Sequence, residues 1–430
     1  MPHNRFRHAL LSASLAVALL AICNTQAMAQ SEHFRSHDDK IVAAYFEEWS
    51  IYGANYNVAD IQKSGAANDL THVLYAFANV SGTGQCAIAD SWADYQDPYL
   101  PSVNGQPYAG PLYGNFAALL QLKQLHPNLK VLISIGGASA ANTANFSTAT
   151  ATPAGRAQLA SSCIDLFLNG NIARGVSAAG LFDGIDIDWE FPTAADTDNY
   201  TALIAEFRSQ INALRAKTNA HYLLTIAAPA GSQNYSNIQL GQVARHLDFL
   251  NLETYDYHGT WENTTNHAAP LFESPLDPAR GEGLTVDATV SAYLENGVPA
   301  DKLVLGIPAY GRGWTGVPNV NHGLYQTSTG PAPSPAGDSL ATDGVATYRT
   351  LATLPANGYG LYHDFFSFAD WLYSPTATTF WSYDDPASVT VKMLYARLRA
   401  PGGLRGAFEW AIKDDDANAT LIKTMARGLR

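Results

Sequence analysis

Short apolar runs rich in β-branched residues recur along the chain, and stretches with helical spacing of apolar positions lie between them. Eight runs stand out, at residues 41–46, 72–79, 130–135, 184–189, 222–227, 249–255, 303–309 and 405–410. Near-continuous apolar runs suit parallel strands buried on both faces, and parallel neighbours need a crossover, usually a helix. Amphipathic stretches at 116–125, 156–169, 199–217, 286–296 and 388–399 supply such crossovers. Eight βα units predict an α/β fold, a (β/α)8 TIM barrel, over residues 38–430.

The seventh unit breaks the rhythm. About 70 residues separate the strand ending near Tyr310 from the helix starting near Ser388, too many for a bare loop. The segment holds the turn-rich GPAPSP at 330–335, followed by stretches rich in tyrosine and phenylalanine. We expect a small α+β insertion here, over residues 314–380.

The first residues read differently. Arg5 and Arg7 precede an apolar run from Leu10 to Ile22, and Ala27-Met28-Ala29 follows, the layout of a secretory signal peptide over residues 1–29. The expected product is secreted, extracellular or periplasmic. The apolar run is about half of the roughly 20 residues that span a bilayer, so no membrane association is expected. Cleavage would remove two arginines and no acid, taking the formal charge from −13 to −15. That charge disfavours nucleic acid and acidic membranes while leaving an uncharged polymer unrepelled. Two cysteines would remain, Cys86 and Cys163. Export permits them to pair, nothing in their spacing demands it, and two buried thiols are the plainer reading.

The strongest chemical signal is LFDGIDIDWEFP at 181–192. Alternation along a strand turns Asp186, Asp188 and Glu190 to one face and Ile185, Ile187 and Trp189 to the other. With the apolar set packed on helices, the acids point into the barrel toward its C-terminal mouth, where barrel enzymes do their chemistry. Carboxyls at roughly 6–7 Å intervals on an inward face resist ionisation. A raised pKa is what a general acid needs near neutral pH, and Glu190, nearest the mouth, is the candidate.

The D-x-x-D-x-D-x-E spacing of Asp183, Asp186, Asp188 and Glu190 resembles the signature of family 18 chitinases. Further segments resemble that family: SIGG at 134–137, Thr254-Tyr255-Asp256, KLVLGIPAYGRGW at 302–314, WSYDDP at 381–386 and Trp410. The resemblance implies a retaining hydrolase of β-1,4-linked N-acetylglucosamine polymers in which the substrate's acetamido group is the nucleophile. On that pattern Glu190 donates the proton, Asp188 orients the acetamido N–H, Asp186 shares a proton with Asp188, and Tyr255 donates to the acetamido carbonyl. Asp183 would support the strand end and is counted with the substrate-binding residues, Asp256 and Arg312 would contact sugars, and Trp410 would floor the cleft. Tyr45, Phe77 and Trp314, with Trp49, Trp261 and Trp381, are candidates to pave it. No metal or organic cofactor is implied. Chitin and N-acetylchitooligosaccharides are the expected partners of a monomer.

Two positions depart from the family pattern. Ala138 stands where many members carry tryptophan after the paired glycines, and Glu253 stands where methionine is usual. Alternation would put Glu253 on the inward face with Tyr255, adding a fourth carboxyl, with Arg312 as one partner it could reach. The rival readings are an endo-β-N-acetylglucosaminidase with the same acids and a sugar-binding lectin, a class that typically replaces the glutamate.

Overall fold

In the computed structural model, residues 40–430 are described, so the leader-like segment 1–29 lies outside them. All eight expected strands form: β1 Ile41–Glu47, β2 His72–Val80, β3 Lys130–Gly137, β4 Gly184–Trp189, β5 Leu223–Ala228, β6 Phe249–Leu252, β7 Leu303–Pro308 and β8 Gly406–Trp410. They pair in parallel with their neighbours in sequence, and β8 pairs with β1, which closes the barrel.

Alternation decides what each strand buries. Ile41, Ala43 and Tyr45 turn inward and meet Leu74, Leu132, Phe249, Val304 and Phe408 in a small inner core. Val42, Ala44 and Phe46 turn outward into the larger core under the helices, as do Ile185, Ile187 and Trp189 of β4. Helices cover that layer at Gly114–Leu125, Pro153–Cys163, Thr197–Thr218, Val286–Glu295 and Pro386–Leu398. None is long and apolar enough to cross a membrane.

Three local outcomes differ from expectation. Strand β6 ends at Leu252 rather than Tyr255. There the amides of Thr254 and Tyr255 donate to the carbonyls two residues back, at 2.8 and 2.7 Å, and Asp256 turns left-handed at φ +56°. Next, Cys86 and Cys163 form a disulfide with their Cα atoms 5.0 Å apart. It joins a short strand, Cys86–Ile88, that runs antiparallel to β2, to the end of helix Pro153–Cys163.

The insertion after β7 is, finally, α+β but wider than expected, an antiparallel sheet whose strands include Tyr310–Thr315, Val345–Thr347, Gly360–Asp364, Ala369–Ser374 and Thr379–Tyr383, with a short helix at Tyr348–Leu351. It therefore starts at Tyr310 and ends at Tyr383, slightly outside 314–380. Its own core gathers Trp314, Leu324, Trp371, Tyr373 and Phe380.

Candidate active site

The site is built on the C-terminal end of β4. Asp186 lies between Ser134 of β3 and Thr225 of β5 in the strand register. Its Oδ2 accepts from the hydroxyls of Tyr45 at 2.9 Å and Ser134 at 2.8 Å. Its Oδ1 accepts from Thr225 at 2.5 Å and from the Asn251 amide at 3.3 Å. Burial pushes the Asp186 carboxyl above its ordinary pKa, and these four donors pull it back. Asp186 is thus a fixed anchor from which the acids above it rise.

Asp188 is two residues nearer the mouth, opposite Gly136. The paired glycines are forced by this geometry. Gly136 has φ +127° and a Cβ there would overlap the Asp188 carbonyl, while a Cβ on Gly137 would meet the Phe77 ring at 2.7 Å. The Asp188 side chain is buried, and its Oδ1 has no hydrogen-bond partner in the protein. Burial, then the charges of Glu190, Glu253 and Asp186, push its pKa well above the usual carboxylate range.

Glu190 follows immediately after β4, its carbonyl held by the Thr143 hydroxyl at 2.5 Å. Its carboxyl is pushed up to about 7, first by burial and then by the negative charge of Asp256. Glu253 joins these two: one oxygen each of Asp188, Glu190 and Glu253 lies within 4.8 Å of the others. Burial, with Glu190 next, raises Glu253 well above its ordinary value. Three oxygens so placed are the donor type a hard cation takes, and crowding of this kind also favours protonated acids.

Asp256, turned out by its left-handed backbone, is clamped from the insertion. Arg312 binds it through Nε at 2.8 Å and Nη2 at 2.6 Å, and the Tyr310 hydroxyl donates at 2.9 Å. The guanidinium carbon lies 5.4 Å from the ring centre of Trp261, which is 59% exposed. Tyr255 stands edge-on to Tyr310 and Phe408. Trp410 stacks on Phe77 at 5.8 Å, and Trp49 packs on Phe77 at 5.9 Å, making an aromatic wall at the ends of β1, β2 and β8. Ala138 is exposed at the end of β3.

Several expectations are corrected. Asp183 precedes the first residue of β4 and is held by Lys123 at 2.7 Å, with its Oδ2 accepting the Val131 amide at 2.9 Å. It therefore steadies the start of β4, and at about 3.3 Å per residue it sits some 20 Å below Glu190, too far down the barrel to bind sugar. Trp314 and Trp381 are buried in the insertion and in the barrel's outer core. The Trp314 indole N–H donates to the Glu262 carbonyl at 3.0 Å, so it cannot pave a cleft. Tyr45 is 1% exposed and serves Asp186 rather than substrate. Arg312 is committed to Asp256, so it is not the partner of Glu253. Thr225 and Asn251 were not foreseen. Each is a lone polar residue at an inward position of an apolar strand, which is a signal alternation could have exposed.

The comparisons with known proteins agree with this architecture. The sequence profile of glycosyl hydrolases family 18 matches residues 41–415. Chitinase C of Streptomyces lividans is 37% identical over 391 residues, an alignment covering 88% of this chain and 58% of that protein. Chitinase A1 of Niallia circulans is 34% identical, with coverages of 89% and 58%. The chain thus spans rather more than half the length of these relatives. The catalytic domain of the psychrophilic chitinase B from Arthrobacter TAD20 superposes with a TM-score of 0.83 at 34% identity, over 92% of this chain and 96% of that one. A profile match over most of the length, on a closed barrel with this carboxyl ladder, makes the chain a member of the glycosyl hydrolases of family 18.

Proposed function

We propose that the protein is a chitinase that cleaves β-1,4-linked N-acetylglucosamine chains with retention of configuration, using the substrate's acetamido group as nucleophile. The observation that carries this reading is the pairing of Asp188 and Glu190. One is a buried carboxyl with an unpartnered oxygen, and the other is an acid with a pKa of about 7 at the mouth of the barrel. Glu190 is protonated in the pH range where it must deliver a proton to the glycosidic oxygen. Asp188 Oδ1 accepts the acetamido N–H and stabilises the oxazolinium ion formed when the acetamido oxygen attacks C1. Asp186, fixed by its four donors on the same strand face, is placed to take up the proton that Asp188 gives up during the cycle, and Tyr255 donates to the acetamido carbonyl.

Trp410, with Phe77 and Trp49 beside it, gives sugar rings an apolar face to stack on. On this reading every reacting group comes from one chain, so a monomer suffices for the reaction, and the leader-like first residues send the protein to the outside of the cell. The test is digestion of N-acetylchitooligosaccharides followed by NMR of the first-formed anomer, with fully deacetylated chitosan in parallel. A β-anomer and an uncut chitosan are expected. An α-anomer, or efficient cleavage of chitosan, would exclude acetamido participation.

A further inference from the structure

The insertion carries a second cluster of ligand-type side chains, away from the catalytic acids. His363 on strand Gly360–Asp364 stands directly across from Asp370 on strand Ala369–Ser374, and His363 Nδ1 meets Asp370 Oδ1. Asp370 in turn pairs with Tyr383, two residues before Asp385. Asp385 caps helix Pro386–Leu398, its Oδ1 accepting the amides of Ala387 at 2.6 Å and Ser388 at 3.1 Å. One ligand atom from each of His363, Asp370 and Asp385 lies within 4.8 Å of the other two.

A cross-strand ion pair explains only part of this arrangement. It engages Asp370 Oδ1 but leaves Oδ2, which is buried on a residue 3% exposed and has no hydrogen-bond partner. It also leaves two carboxyl groups face to face, an arrangement that opposes ionisation unless something positive stands between them. A cation would satisfy the orphaned oxygen and both carboxylates at once. The exposed imidazole offers a path from solvent and enough freedom to close the ligand distances.

We propose that His363, Asp370 and Asp385 bind one divalent cation of the zinc type, clipping the edge of the insertion to the helix that returns the chain to the barrel. One imidazole and two carboxylates form a borderline donor set that suits zinc, cobalt or manganese, whereas calcium and magnesium prefer oxygen alone. Three protein ligands leave a position for water. The role is structural, because the ligands belong to the insertion sheet and the helix after it and not to β4.

The experiment is titration of the chelator-treated full chain with zinc chloride, by calorimetry and thermal melting, and with cobalt chloride, by visible absorption. Expected are one equivalent of zinc, a melting temperature raised by about 3 °C at a hundredfold excess over Kd, and cobalt bands of low coordination number. His363→Gln, at an exposed position that leaves the fold intact, should weaken binding at least about tenfold, as one ligand of three is lost. Asp370→Asn should do the same where it folds. Absence of saturable binding, or affinity unchanged in His363→Gln, overturns the proposal. So does an ion lost in Glu253→Gln instead, which would belong to the acidic cleft.

Discussion

Gly136 of β3 lies so close to Asp188 of β4 that no side chain fits between them: a Cβ on the glycine would overlap the Asp188 carbonyl. With φ at +127°, the position is strained for any L side chain as well. Gly136→Ala should push β4 away from β3 and displace the carboxyls it carries. We expect kcat to fall by at least about a hundredfold, with melting lowered by several degrees, since small misplacements of reacting groups are costly. A variant with wild-type turnover would mean that the two strands separate without moving Asp188.

Glu190→Gln keeps the size and polarity of the side chain but has no proton to give. Turnover should drop by several orders of magnitude while binding to chitin, measured by sedimentation with the insoluble polymer, stays near wild type. Retention of more than about a tenth of the wild-type rate would move the general acid elsewhere.

The pH profile follows from the same residue. Glu190 is pushed up to about 7 by burial and by Asp256, so its proton is present below that pH and lost above it. The alkaline limb of kcat/KM should therefore fall near pH 7, tenfold per unit beyond it. Asp256→Asn removes the second cause and leaves the Arg312 charge uncompensated nearby. Both changes favour ionised Glu190, so the limb should move to lower pH by about half a unit or more. A limb that stays in place would show that Asp256 is electrically remote from the acid.

Glu253 makes a stability prediction of known sign. Its pKa in the fold lies well above the unfolded value, chiefly through burial. The stability tied to its proton is complete below the unfolded value of about 4.3 and is lost progressively as pH rises toward the folded value. Glu253→Gln does not titrate. Relative to wild type it should gain about 1.4 kcal/mol per pH unit across that window, on the order of 2 °C in melting temperature. Melting curves that stay parallel from pH 4 to 8 would mean that Glu253 is already ionised in the fold.

Cys86 and Cys163 are 77 residues apart in sequence. Closing a loop of that length restricts the unfolded chain, so Cys86→Ser with Cys163→Ser should cost roughly 2–4 kcal/mol. Thermal melting with and without reductant reads this directly: the reductant should shift the wild type and leave the double variant unchanged.

The sequence by itself determined the barrel, because parallel strands buried on both faces are apolar at nearly every position and each of the eight therefore announced itself. It also determined that Asp186, Asp188 and Glu190 share a face, since a period of two is a property of the strand alone. What the neighbours of those acids are was a matter for the closed barrel. Tyr45 and Asn251 reach Asp186 across 141 and 65 residues of sequence, and only the strand register brings them there. Alternation failed after Leu252, where the chain leaves the ladder and its amides bond two residues back, so the place of Glu253 beside Asp188 is a tertiary outcome that periodicity reached by the wrong route. Trp314 was equally beyond local reading. An aromatic near a strand end lines a cleft or fills a core according to which sheet folds over it, and here the inserted sheet buries it completely.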